Sequence, residues 1–470
     1  MGEKRKDQYG KYLKENPRMY QVVRQMELPK QDPQALAVSY VFGPALGSFV
    51  MWVLEEAVKH KKRRLYFLAR DGYFMYRAAL FFSSRLNLPV ECRYLHCSRY
   101  ALRVPTYHLN QEEALEYICR RGIKVTPGRI LRRAGLSEEE AAEVLERLHL
   151  SFGENEVIPY LSLPGIKRKL KNCDLFLAAM NRRSKEAFPF LMGYLKQEGL
   201  LDEGEDAIVD SGWMGSMQKT LNEILLYMGR KKRLEGYYWG LYDLPPDVLQ
   251  KEYHCYFFSP QKGLREKVHF NNCIFEAVFT APEGMTVGYG EEKDRYVPRL
   301  GKSSNEGKRF VLKSEEYLKN YIALFAEEVA RTGYCRTDMV KERQTVAKLL
   351  GMFMGNPTLQ EAEVFGSLMF SDDVLEDKGQ PIAVPMTKEE LREHHLLYRL
   401  LVMMGIRRGK QKESAWYEGS VVRQGDLVRY HLIQHTLYKY IRFLGKTCRF
   451  QEKLRRKENV QEPGTAGQIW

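Results

Sequence analysis

One pattern constrains the fold of this chain more than any other. A short apolar run, a polar turn containing glycine, an apolar-rich stretch of helix length and a second apolar run occur in that order, twice. The first copy starts with Arg64–Ala69 (RLYFLA) and breaks at Arg70-Asp71-Gly72. It continues through the uninterrupted stretch Tyr73–Leu86 to Pro89–Leu95 (PVECRYL). The second copy has Asp206–Val209, a turn over Asp210–Gly215, a helix over Ser216–Met228 and a strand at Leu234–Tyr242. Tyr253–Phe258 reads as one more strand. Such spacing suits parallel strands buried between helices. The expected fold class is therefore α/β, a Rossmann-like parallel sheet with a helical insertion and a helical C-terminal domain.

The stretches between these copies divide the chain. Residues 1–34 form an N-terminal basic segment with a short helix near Met19–Met26, and 35–105 the first half of the α/β core. Residues 106–204 read as a helical insertion, with helix-type spacing over Glu112–Arg121, Thr126–Ala134 and Ser137–Leu150. Ser137 and Glu140 match a capping box. Residues 205–310 form the second half of the core, with a hairpin within Val287–Val297. Residues 311–470 form a helical domain with a basic tail, whose final residues around Gly464–Gly467 are expected to fray. No 20–50-residue period points to a solenoid.

Composition sets the class. With 470 residues, two to four folding units fit, at roughly 100–200 residues each. A hydrophobic fraction of 44% supplies a core and argues against disorder. Eight scattered cysteines without a CxxC pair read as reduced thiols, so a cytoplasmic location is expected. Two segments bear on membranes. Ala35–Leu54 is uncharged and close to the ~20 residues of a bilayer span. Its glycines, Pro44 and serines, and Glu55-Glu56 directly after it, favour a helix buried under the sheet. In the tail, Lys439, Arg442, Lys446, Arg449 and Lys453 share one helical face, beside a stripe of Leu437, Ile441, Leu444 and Cys448. That pattern suits either a solvated face closing the helical domain or peripheral contact with the inner membrane face. The net charge of +14 raises nucleic acid as a partner. It ranks low, because the basic residues gather at the chain ends and around 61–64 with no RNA-binding signature.

Chemistry is expected where the two copies end their first strands, because open α/β sheets bind ligands outside the carboxyl ends of strands. Asp71 and Asp210 are the candidate catalytic carboxylates. Both are expected to stay ionised beside arginine and helix N-termini, with Asp210 at the last strand position as the candidate Mg²⁺ ligand. Arg70, Gly72, Ser98, Arg99 and Arg103 are candidate phosphate- or sugar-binding residues from the first unit. From the second come Ser211, Gly212, Trp213, Gly215, Ser216 and Gln218, whose glycines and helix start favour an anion. Asp71 also suits a plain helix cap, and Trp213 is as well suited to the core as to stacking on a ring. Asn271, Asn272 and Glu276 form a polar patch inside an apolar segment, which either lines the cleft or starts a helix. His394-His395 cannot chelate from one helix face. His431 and His435 can, but lack a Glu between them, and both pairs are read as surface or packing histidines. No GxSxG elbow or GxxxxGK[ST] loop is present.

Five stretches, FGPALGSFVMWVLEEA, LYFLARDGYFMYRAA, YLHCSRYALRVPT, AIVDSGWMGSMQKTL and IFEAVFTAPEGMTVGY, span roughly residues 36–300. Together they resemble the C-terminal half of predicted HAD-superfamily (haloacid-dehalogenase-like) hydrolases of bacterial surface-polysaccharide loci. The resemblance implies a HAD-like hydrolase-related protein of cell-surface polysaccharide biosynthesis, binding a phosphorylated sugar or nucleotide-sugar, with Mg²⁺ as cofactor. It also implies partners among glycosyltransferases or a separate HAD-type chain. The sequence departs from the family's paired aspartates: Ala69 stands two before Asp71, Tyr73 two after it, and Ser211 follows Asp210. Those departures point to a degenerate enzyme, or to a non-catalytic scaffold that docks glycosyltransferases at the inner membrane face. A fold-level analogy to phosphoribosyltransferases, with an acidic strand end before a phosphate loop, is the other architecture the pattern allows.

Overall fold

The computed structural model describes residues 2–120, 122, 125–370, 379–407 and 412–461. The expected fraying at Gly464–Gly467 lies outside the described residues. A five-stranded, wholly parallel sheet forms the centre. Its strands are β1 (Arg64–Leu68), β2 (Glu91–Leu95), β3 (Asp206–Trp213), β4 (Glu235–Leu241) and β5 (Tyr253–Phe258), in the order β2-β1-β3-β4-β5. The two copies share this one sheet. β1 and β3 are direct neighbours, paired from Arg64 with Asp206 to Phe67 with Val209. The interiors of the central strands β1, β3 and β4 are buried on both faces, as a parallel sheet between helices requires.

The uncharged N-terminal stretch lies within one helical run, Pro33–Lys59, and 89% of its apolar window is buried. Its small residues explain the close packing. A Cβ on Gly43 would lie 2.6 Å from the Tyr321 ring, and one on Gly47 3.2 Å from the Phe325 ring. Glycines four residues apart thus let the helix Asn305–Thr332 approach along one face. The other side meets the sheet, where Phe49 packs edge-on to Trp239 at 5.6 Å. Just before Pro44, Val38–Phe42 widen into a π turn, closed by the Gly43 N–H on the Val38 carbonyl. Pro44 has no N–H for a regular helical bond, and the wider turn accommodates it.

Residues 1–34 contain more structure than the one expected helix. Gly2–Leu13 and Pro17–Arg24 are both helical, and Tyr9, Leu13, Met19 and Val22 are fully buried in the main core. The insertion has a core of its own, including Leu115, Ile118, Ile130, Leu131, Val144 and Phe176. Its capping box forms, with Ser137 and Glu140 reciprocally bonded at the start of Glu138–Leu148. The insertion returns through Asp174–Gln197, which packs on the hairpin β6 (Thr286–Glu292) and β7 (Arg295–Leu300). There Tyr194 stacks on Tyr289 at 4.6 Å, and the Gln197 amide exchanges two hydrogen bonds with the Tyr296 backbone.

The four histidines of the C-terminal helices pack together. His395 and His431 are hydrogen-bonded at 2.8 Å, and the His394 and His435 rings lie 6.3 Å apart. Burial pushes His394 and His395 down to about 4 and His435 to about 3, so these three remain neutral near pH 7.

Candidate functional site

The site grows from a difference in strand length. β1 stops at Leu68, whereas β3 runs on to Trp213 because β4 continues beside it, pairing Gly212 with Gly240 and Trp213 with Leu241. The turn expected over Asp210–Gly215 is therefore mostly strand. Asp210 lies inside β3, not at its last position, but beyond its final pairing with β1 at Phe67–Val209. Its flank opens onto the Arg70–Gly72 turn. Gly72 starts the helix Gly72–Arg85 tight against β1, where a Cβ would lie 3.1 Å from the Phe67 carbonyl carbon.

This arrangement brings the two expected carboxylates together. The Ser211 hydroxyl donates to Asp71 Oδ2. Asp71 does not cap its helix with its side chain, so the capping explanation falls away. A third carboxylate comes from Asn272–Phe279, a helix capped by the Asn271 side chain on the Ile274 N–H. Glu276 on that helix accepts the indole N–H of Trp213. The Trp213 ring packs among Tyr242, Phe270 and Phe275 at 5.4–6.1 Å. It positions Glu276 and belongs to the aromatic core.

Asp210 and Glu276 keep partial solvent contact yet lie deep in the fold, which describes a recess. Burial, then the charge of Asp71, pushes Asp210 up to about 7. The N–H groups of Ser211 and Gly212 and the charge of Arg99 oppose the rise without cancelling it. The expectation that Asp210 stays ionised is thus corrected: desolvation outweighs the neighbouring cation. Burial and Asp71 likewise push Glu276 up to about 8, against the Trp213 N–H, Arg99 and Arg70.

The other expected residues divide. Arg70 and Arg99 act electrostatically on Glu276, and Arg99 on Asp210 as well. Arg99 is exposed and makes no side-chain hydrogen bond or ion pair among the described residues. Ser98 caps Arg99–Arg103 and donates to the Thr286 carbonyl at 2.7 Å. Arg103 turns to Glu113 of the insertion at 3.3 Å. Ser216 opens the helix Ser216–Tyr227 after Gly215, which holds a left-handed φ of 61°. Gln218 does not join the recess. It is fully buried, donates to the carbonyls of Leu234 and Glu252 and accepts the Tyr238 hydroxyl, so it fastens the helix to the starts of β4 and β5.

Sequence reasoning missed a neighbouring group. Tyr94 donates to Glu283 at 3.0 Å and feels the charge of Asp71, and His96 packs edge-on to it at 4.9 Å. Burial lowers His96, whose Nδ1 finds no hydrogen-bond partner among the described residues. The only signal was the polar end of the strand YLHCS. Cys97 is fully enclosed and its thiol is pushed up by burial and Asp210, which makes it a poor nucleophile.

Gly212 has a structural reason to be glycine. Its φ is 109°, and a Cβ would lie 2.6 Å from the Gly240 carbonyl oxygen. Gly212→Ala is expected to cost about 1–3 kcal/mol, read as a lower denaturant midpoint. An unchanged midpoint would mean that β3 and β4 do not approach this closely.

No family model matches this chain, and no curated protein matches it. The recess must therefore be read from its own chemistry. Among the described residues no three His, Cys, Asp or Glu side chains converge on a metal position. Asp71 and Glu276 are turned to Ser211 and Trp213, so the side chains do not form a ready cage for Mg²⁺. Two cavities of about 520 and 570 Å³ lie elsewhere, one beside His269 and Lys348 and one among Lys4, Lys11 and Arg24, and neither touches the carboxylates.

Proposed function

We propose that the recess binds a phosphorylated sugar or nucleotide-sugar and carries out proton transfer on it, as a HAD-like hydrolase-related protein of bacterial surface-polysaccharide assembly. One observation carries the reading. Asp71, Asp210 and Glu276, from a turn, a strand and a helix, meet at the carboxyl edge of the sheet, and two of them are shifted toward neutrality beside Arg70 and Arg99. A carboxyl group that titrates near pH 7 is suited to general acid–base catalysis, and the arginines to holding phosphate. Phosphoaspartyl chemistry is not part of the reading, because Ala69 and Tyr73 occupy the positions of the partner aspartate. No step is assigned to Mg²⁺. The polysaccharide context and the glycosyltransferase or HAD-type partners rest on the motif resemblance, and the cytoplasmic location on the scattered cysteines without a CxxC pair.

The test is thermal stabilisation by a panel of sugar phosphates and nucleotide-sugars, each with and without Mg²⁺. A ligand that stabilises the wild-type chain and loses about tenfold in affinity in Asp210→Asn is the expected result. Equal binding by both proteins would sink it.

A second reading, a scaffold at the inner membrane face, is favoured by the tail. Within the long helix Val428–Gln461, Ile433, Leu437, Ile441 and Leu444 are all exposed, as are Leu397, Met403, Met404 and Ile406 nearby in the C-terminal region. Arg442, Lys446 and Arg449 are exposed next to the stripe. Lys439 is not among them, since it is half-buried and paired with the buried Glu418. Such a face suits an anionic bilayer surface. Co-sedimentation with phosphatidylglycerol vesicles should fall about tenfold in Leu437→Asp/Ile441→Asp and weaken with salt. Equal sedimentation of variant and wild type would refute it.

A further inference from the structure

A second cluster lies beside the recess, where the insertion meets the core. Arg99 and Arg103 are four residues apart on the helix Arg99–Arg103. The Arg103 guanidinium is 4.7 Å from the centre of the Tyr117 ring, and that of Arg120 is 5.9 Å from the same ring. Arg133 is buried and donates to the carbonyls of Ile118 at 3.4 Å and Arg120 at 2.9 Å, which fixes the end of the Tyr117 helix. Four arginines thus gather about one phenol.

Their compensation is incomplete. Arg103 has Glu113 as its partner. Arg99 and Arg120 make no side-chain hydrogen bond or ion pair among the described residues, and both are exposed. The Tyr117 hydroxyl is buried and finds no hydrogen-bond partner among the described residues either. Desolvation of its guanidinium by the protein around it, then the charge of Arg99, lowers Arg120, so the two cations sense each other. Gathered guanidiniums with an unpartnered hydroxyl between them form an anion site. Two uncompensated cations, one on the helix Arg99–Arg103 and one in the segment just after the Tyr117 helix, call for an anion with two charged groups. Arg99 also acts on Asp210 and Glu276, which places this cluster and the recess within reach of one ligand.

We propose that Arg99, Arg103, Arg120 and Tyr117 bind the diphosphate of a nucleoside-diphosphate sugar whose sugar end enters the recess of Asp71, Asp210 and Glu276. The sugar placement rests on the function proposed above; the diphosphate site does not. The test is calorimetric titration of the full chain with inorganic pyrophosphate and with inorganic phosphate. Pyrophosphate should bind about tenfold more tightly than phosphate, and Arg99→Ala/Arg120→Ala should weaken it about tenfold or more. Both side chains are exposed, so the variant should keep its fold. Tyr117→Phe removes a hydroxyl without a hydrogen-bond partner among the described residues, and should weaken pyrophosphate about threefold without loss of stability. Asp210→Asn removes no cation and should not weaken pyrophosphate binding. Equal affinity for the two anions, or equal binding by wild type and the arginine variant, would overturn the diphosphate site. Arginine-dependent pyrophosphate binding with sugar-phosphate binding indifferent to Asp210→Asn would uphold the diphosphate site and overturn the function proposed for the recess.

Discussion

Replacing Glu361 by alanine is expected to destabilise the protein by about 3–5 kcal/mol. Glu361 sits at the start of the helix Leu359–Gly366 and reaches back to the first helix of the chain. Arg5 donates to it through Nε at 3.0 Å and Nη2 at 2.8 Å, and the Tyr9 hydroxyl donates at 2.5 Å. The ion pair is almost wholly out of water, with side-chain exposures of 6% and 3%. Removing the carboxylate leaves the buried guanidinium with neutral acceptors only, the Gln8 side-chain oxygen and the Met352 and Asn356 carbonyls, and costs the Thr358 capping box its Glu. The unpaired charge dominates, because a lost cap is worth only ~1 kcal/mol. Glu361→Gln keeps an acceptor for Tyr9 and should lose less than the alanine variant. Urea unfolding of both variants checks this, together with proteolysis after Leu13, which should appear first in Glu361→Ala. A loss below about 1 kcal/mol in the alanine variant would mean that the N-terminal helix is not anchored here.

How much of this was legible beforehand depended on the range of the interaction. Leu65–Leu68 and Ala207–Val209 are wholly apolar and end in polar, glycine-bearing segments, so buried parallel strands of one sheet could be read from the chain itself, though not that the two are neighbours. The Ser137–Glu140 box is a four-residue signal and was equally legible. The meeting of Asp71 with Asp210 followed from the shared carboxyl edge. The extension of β3 through Trp213 did not, since Asp-Ser-Gly reads as a turn and only pairing with β4 makes it a strand. Glu276 appeared merely as a polar residue in an apolar segment, because its partner Trp213 is 63 residues away. The helix Gly2–Leu13 was hidden by its charge, since most of its residues are polar and its burial depends on Tyr9 and Leu13. The charge state of Asp210 was misjudged for the same reason. Local sequence shows its neighbours, whereas its depth is set by the whole fold.

That depth leads to the largest effect expected at the site. An unfolded aspartate titrates near 3.9, and Asp210 in the folded chain titrates at about 7. Between these values the folded state holds a proton that the unfolded state has released. Raising the pH through that window therefore lowers stability, and above about pH 7 the full cost of a buried charge is present. This is the reverse of a salt-bridged aspartate, which stabilises as the pH rises. Asp210→Asn removes the ionisation and should be more stable than wild type at pH 8 by about 2–4 kcal/mol. At pH 4 the two should be nearly equal. Glu276→Gln should behave alike over a window that ends near pH 8, while keeping an acceptor for the Trp213 N–H. A gain in stability coupled to lost binding is the mark of a group held in place for function rather than for folding. If Asp210→Asn and wild type unfold at the same denaturant concentration at both pH 5 and pH 8, the carboxylate ionises freely and the recess is no acid–base site. If the variant gains stability at pH 8 and loses its sugar-phosphate ligand, one buried carboxylate accounts for both observations.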